Sequence, residues 1–160
     1  MALLKKSAHV KPLSTATRGG SGAAVSALRP QPVMKTPPCM ETCPSGSNIR
    51  GWISTIAQRE KLGLSSDQAL EKSWRMIVDK NPFPSTLGRV CPHPCEKECS
   101  RALKDSSVSI NAMEQFLGDW ALEHKLALNK LEEDSKPESI GVIGAGPAGM
   151  SFAYQLARRG

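Results

Sequence analysis

The chain has 160 residues, 39% hydrophobic and only 4% aromatic, a size that suits one domain or one domain plus part of another. No stretch reaches the ~18 consecutive apolar residues that a membrane span needs. The formal net charge is +6, yet Lys5, Lys6, Lys11, Arg18, Arg29 and Lys35 all lie in residues 1–36, which hold no Asp or Glu, so the body is balanced at 15 basic against 15 acidic residues; a neutral body argues against a nucleic-acid binder.

Residues 1–36 are rich in Ser, Ala, Gly, Pro and Thr and lack sustained apolar periodicity, which predicts a disordered basic tail. Met1–Leu4 is too short for the apolar region of a secretory signal. The acid-free, Ser- and Arg-containing composition resembles an organellar transit peptide, but a flexible cationic N-terminus is the simpler reading, and a cytoplasmic location is expected. A proline-rich loop runs from Thr36 to Gly46. Ser47 or Asn48 can cap a helix over about 48–60, with Ile49, Trp52, Ile53 and Ile56 on one face. Ser65-Ser66-Asp67-Gln68 reads as a capping box opening a second helix near 66–79, striped by Ala69, Leu70, Trp74, Ile77 and Val78. Asn81–Gly88, with two prolines, reads as a loop, and Cys91-Pro-His-Pro-Cys95 as too proline-rich for a helix. Residues 95–103 are expected to form a short helix and residues 111–130 a longer one, burying Met113, Phe116, Leu117, Trp120, Ala121, Leu126 and Leu128. Beyond a charged linker, Ser139–Ile143 reads as a buried strand and Pro147–Arg159 as a helix.

Five cysteines remain: Cys39, Cys43, Cys91, Cys95 and Cys99. An odd number without a secretory signal fits a disulfide framework poorly. Their order is C-x3-C, a gap of 47 residues, then C-x3-C-x3-C, so the two groups must meet in space to share a metal. Thiolates bind iron–sulfur clusters and zinc alike. Zinc knuckles favour C-x2-C pairs, whereas every local spacing here is x3, and Cys-Pro steps at Cys43 and Cys91 are of the kind found beside iron–sulfur ligands. All five lie in polar, proline-rich loops rather than apolar stripes, which disfavours a purely hydrophobic role. A helical 95–99 segment would put both sulfurs on one face, about 6 Å apart along the axis.

Near the end, Gly144, Gly146 and Gly149 form G-x-G-x-x-G between an expected strand and an expected helix, the context this motif requires. Gly144 suits a tight turn, Gly146 a close backbone approach to a pyrophosphate, and Gly149 close helix–strand contact. The chain ends at Gly160, short of the ~30 residues of a βαβ unit, so it is expected to be the front part of a longer protein.

Taken together, PPCMETCPSGSNIRGWI, NPFPSTLGRVCPHPCEKECSR, VSINAMEQF and GVIGAGPAGM resemble the glutamate synthase small-subunit and dihydropyrimidine dehydrogenase family over about residues 36–160. Among these relatives, the PPC-type start and the basic tail look most like the DsrL proteins, NAD(P)H:acceptor oxidoreductases of sulfur-oxidising and sulfur-reducing bacteria. The resemblance implies a mainly α fold: a helical bis-cluster domain, alpha-helical ferredoxin-like, then the start of a Rossmann-like FAD-binding α/β domain. The implied organisation is a tail over 1–36, an iron–sulfur domain over 37–131, a linker over 132–138 and the first β-turn-α over 139–160. It implies that Cys43, Cys91, Cys95 and Glu114 hold one [4Fe-4S] cluster. Cys39 and Cys99 match the second, whose further upstream C-x2-C is absent because residues 27–35 contain no cysteine. Gly144, Ala145, Gly146, Pro147, Ala148 and Gly149 would bind FAD, the Pro-Ala step leaning towards FAD over NAD. Asn111-Ala-Met-Glu114 also reads as a capping-box variant, so Glu114 is either ligand or cap. His93 is expected to tune the cluster from beside it rather than to ligate, and Arg89 either stabilises a reduced cluster or is simply solvated.

The function implied is an electron-transfer module of an NAD(P)H-dependent flavin oxidoreductase, serving a redox partner subunit or iron–sulfur acceptor, with this stretch alone not turning over. The rival from another class is a zinc-stabilised protein-interaction domain without redox role.

Overall fold

Helices dominate the computed structural model, which describes residues 36–160; the tail expected over 1–36 lies outside this range except for Thr36. In chain order they are α1 (Pro38–Glu41), α2 (Ile49–Ala57), α3 (Ser66–Val78), α4 (Pro84–Val90), α5 (Pro94–Lys97), a 3-10 turn (Ser100–Leu103), α6 (Ile110–Glu123) and α7 (Pro147–Ala157). Asn48 caps α2 by accepting the Gly51 N–H at 3.0 Å. The box at α3 closes in both directions: Ser65 Oγ accepts the Gln68 N–H and Gln68 Oε1 accepts the Ser65 N–H.

The apolar faces of α2, α3 and α6 supply the core, which falls into two clusters. Ile49, Trp52, Ile77, Ile110 and Leu117 pack in one with Cys95, while Trp74, Val78 and Ala121 form the other. Each such large side chain, fully buried, contributes about 1.5–3 kcal/mol. Ser73 Oγ donates to the Trp52 carbonyl at 3.0 Å, a buried tie between α2 and α3.

Helices α4 and α6 approach backbone to backbone, and two glycines permit it. A Cβ at Gly118 would overlap the backbone nitrogen of Ser85, and one at Gly88 would lie 2.6 Å from Gln115 Cα. Outside this crossing, Arg89 reaches both carboxylate oxygens of Asp119, at 3.0 and 2.8 Å, and Ser85 Oγ donates to the same carboxylate.

Several expectations need correction. Asn81–Gly88 is not all loop: α4 begins at Pro84, because proline at the first helical position surrenders an N–H that no helix bond would use. The helix expected over 111–130 stops at Glu123. Lys125 turns left-handed at φ 51°, and the N–H groups of Leu126 and Lys125 bond back to the carbonyls of Ala121 and Leu122, a Schellman closure made without glycine. Phe116 and Leu128 are exposed rather than buried. Cys95 and Cys99 do not share a helical face, since α5 ends at Lys97 and Cys99 is extended at the start of the 3-10 turn. Among the described residues there is no strand: 139–143 has no neighbour to pair with, and Ile140 and Ile143 are exposed.

Helix α7 packs back on the bundle. Tyr154, nearly buried, donates its hydroxyl to the Val78 carbonyl at 2.9 Å, and Gln155 Nε2 donates to the Asp79 carbonyl. Both carbonyls belong to the C-terminal end of α3, which lacks intrahelical donors. Arg158, only 6% exposed, reaches Asp79 Oδ1 at 3.2 Å, and its own carbonyl accepts the N–H groups of Leu131 and Glu132.

Two outcomes are expected. Gly118→Ala overpacks the α4–α6 crossing and lowers unfolding stability by about 1–3 kcal/mol in urea titration. The Asp119 carboxyl is held down to about 2 by the hydrogen bonds from Arg89 and then Ser85. A depressed carboxyl pKa contributes stability above the unfolded value of about 3.9 and loses it as pH falls towards the folded value. Stability measured between those limits declines with acid in the wild type, and Asp119→Asn removes that part of the decline.

Candidate metal centre

Local backbone chemistry delivers each cysteine. The α1 turn ends at Thr42, whose hydroxyl donates to the Pro38 carbonyl at 2.8 Å, and Cys43 follows at once. Gly46, at φ 61°, then reverses the chain into α2. Cys91 is the C-cap of α4, its N–H bonded to the Leu87 carbonyl. His93 takes a left-handed conformation, φ 40°, just before α5, and Cys95 is buried in the core cluster. Its backbone N–H donates to Cys91 Sγ at 3.4 Å, its Nδ1 lies 3.1 Å from the Cys91 carbonyl, and its Nε2 lies 3.8 Å from Glu96.

These segments enclose a cavity of about 290 Å³ whose wall includes Cys43, Cys91, Cys95 and Glu114, together with Ser47, Asn81, Val90 and three prolines. Cys95 is 7% exposed, and its thiol is pushed up to about 11 by burial, then by the neighbouring charges of Cys43, Glu96 and Cys91. Glu114 enters from α6. Burial raises its carboxyl pKa, opposed by the hydrogen bond that Asn81 Nδ2 donates to Oε1 at 2.7 Å.

The capping-box reading of Glu114 does not hold: α6 is capped at Ser109, so Glu114 lies beyond its first turn. The start of α6 is instead served by Glu96 of α5, whose Oε1 accepts the Asn111 N–H at 2.8 Å. Arg89 does not line the cavity; its guanidinium is engaged by Asp119.

Cys39 and Cys99 lie outside this cavity. They are near enough that the Cys99 charge adds to the upward push of burial on the Cys39 thiol. Cys99 goes the other way, lowered by the backbone N–H groups of Val108 and Arg101. The five thiols thus divide into three around the cavity and a pair beyond it.

Among the described residues, no three His, Cys, Asp or Glu side chains converge tightly enough for a single metal ion. Thiolates sharing one zinc would each sit about 2.3 Å from it. Three thiols and a carboxylate spread over the wall of a cavity suit a group of several atoms.

The glycine-rich turn leads into α7 with no strand before it. Gly144 is at φ 104°, a conformation that residues with a side chain rarely adopt. A Cβ at Gly149 would overlap the Gly144 carbonyl oxygen, so the first turn of α7 rests directly on the loop. Gly146 caps α7 with open space around its Cα, Pro147 opens the helix, and Ala145 and Ala148 flank them. Asn81 is the site residue that sequence reasoning missed; an Asn two residues before an N–H that it can accept was the available signal.

The family model for dihydropyrimidine dehydrogenase domain II, 4Fe-4S cluster, matches residues 22–126. The beta subunit of an NADPH-Fe(3+) oxidoreductase from Geobacter sulfurreducens is 36% identical over 125 residues, 78% of this chain and 17% of that protein. The beta subunit of an NADP(+)-dependent formate dehydrogenase from Moorella thermoacetica is 28% identical, covering 89% of this chain and 22% of that protein. The small chain of glutamate synthase [NADPH] from Bacillus subtilis is 30% identical, covering 74% and 25%. The chain thus spans about a fifth of the length of the curated relatives it matches. With the family match covering the cysteine-bearing helices and the cavity they enclose, the chain belongs to the dihydropyrimidine dehydrogenase domain II family of 4Fe-4S proteins.

Proposed function

We propose that this chain is the electron-transfer module of an NAD(P)H-dependent flavin oxidoreductase, passing electrons between FAD and an iron–sulfur acceptor or partner subunit. The observation that carries this reading is the single cavity shared by Cys43, Cys91, Cys95 and Glu114 in a member of a 4Fe-4S family. The NADPH- and NADP-linked names of its relatives support the nicotinamide side.

Cys43, Cys91, Cys95 and Glu114 would hold one [4Fe-4S] cluster, which when bound supplies one-electron storage at a potential set by its surroundings. The protein's part is to give up thiol protons, orient the donors and exclude water. Cys95 would bind as thiolate, so with its raised pKa metal binding would release a proton there and be favoured at higher pH. The His93 N–H on Cys91 Sγ draws charge from that sulfur. Cys39 and Cys99 form an incomplete second set within this chain. The turn at Gly144, Ala145, Gly146, Pro147, Ala148 and Gly149 would take the FAD pyrophosphate once the remaining strands of that domain surround it. Domain boundaries near 37–131, 132–138 and 139–160 follow from this reading, as does a cytoplasmic setting in which the thiols stay reduced.

Protein of this chain purified without oxygen is expected to be brown and to carry about four irons with matching sulfide, the content of one [4Fe-4S] cluster. About eight irons would require Cys39 and Cys99 to complete a second cluster, and a colourless protein with stoichiometric zinc would replace the redox reading with an interaction domain. The cysteines separate in the same assay. Cys91→Ser or Cys95→Ser abolishes visible absorption and loosens the helices seen by far-UV circular dichroism, because metal-binding energy is partly folding energy. Cys39→Ser leaves most of both.

A further inference from the structure

We propose that Asn81 is a positioning residue that fixes which oxygen of Glu114 faces the cluster; this rests on the reading of Glu114 as a ligand. Asn81 is 4% exposed and stands in the wall of the same cavity. Both ends of its side chain are committed. Oδ1 accepts the Phe83 N–H at 3.0 Å, and Nδ2 donates to Glu114 Oε1 at 2.7 Å. The Phe83 N–H can only be accepted, so the amide cannot flip without losing both bonds. Its backbone is fixed as well, the Asn81 N–H donating to the Ile77 carbonyl at 2.8 Å. The donor is therefore held by the end of α3 and the entry to α4, while the acceptor rides on α6.

The chemical consequence is directional. A carboxylate offers two oxygens, and the amide takes one acceptor site of Oε1, which favours Oε2 as the donor to iron. The side chain is thereby held in one rotamer and biased towards one-oxygen ligation. The same hydrogen bond withdraws charge from the carboxylate, which makes it a weaker donor to iron and favours the reduced cluster.

The test uses the full protein purified anaerobically, with cluster reduction potential, electron paramagnetic resonance of the reduced cluster, iron content and far-UV circular dichroism measured together. In Asn81→Ser the hydroxyl can still accept the Phe83 N–H but is too short to reach Glu114. Expected are a more negative potential and altered g-values, with iron content and helicity kept. Asn81→Thr likewise keeps a hydroxyl acceptor for the Phe83 N–H and falls short of Glu114 without adding a charge, so it carries the test if the serine variant fails to fold, with the same expected shift. Unchanged potential and g-values in the folded variants overturn the proposal, as does lost helicity with an unaltered signal from the cluster that remains. Glu114→Ala separates the two readings. If it leaves the resonance spectrum as in the wild type, Glu114 is not a ligand. If it alters the spectrum while the Asn81 variants do not, Glu114 is a ligand and Asn81 does not position it.

Discussion

How closely α4 can approach α6 decides where everything at the cavity sits. Side chains at Gly88 and Gly118 would hold the two backbones apart. Without them, α4 lies against the middle of α6, and its C-cap residue, Cys91, and the α6 residue Glu114 come to line the same cavity. The Arg89–Asp119 pair closes the outer side of this crossing. Cys43 and Cys95 arrive by turns whose left-handed residues, Gly46 and His93, reverse the chain within a few positions. The cavity is thus a product of one backbone contact and two reversals rather than of any strong local preference of the cysteines themselves.

The helices were legible wherever an apolar stripe coincided with a side-chain cap, as at Asn48 and the Ser65–Gln68 box. They were misread where termination or initiation rested on unusual residues. Lys125 does the work expected of glycine, and Pro84 starts a helix in a segment whose prolines suggested none. The cysteine spacing alone left several groupings open, and the set with Glu114 came from family resemblance. Glu114 itself was ambiguous because a capping box is a local pattern, whereas the acid that serves α6, Glu96, lies on another element. Asn81 was hidden for the same reason: its partner is 33 residues away. The strand expected at 139–143 shows the converse limit, since β structure needs a neighbour that periodicity cannot supply.

The thiols occupy contrasting surroundings within a short stretch. Cys95 is pressed upward by burial among other sulfurs, while Cys99, four residues on, is lowered by backbone N–H groups. A one-turn helix that ends between them is what allows this contrast. Repeated x3 spacing in sequence therefore does not translate into repeated environment.

The docking of α7 on the end of α3 has a bearing on speed. Electron tunnelling falls steeply with separation, so a donor and acceptor joined by a floppy tether would exchange charge only in their rare close encounters. Here the helix that carries the glycine turn is pinned through Tyr154, Gln155 and Arg158 to Val78 and Asp79. Two residues further along the same chain, Asn81 grips Glu114. On the proposed function, a flavin seated at one end of this strut and a cluster at the other would face a barrier of constant width, and the rate between them would be set by chemistry rather than by waiting for the domains to meet.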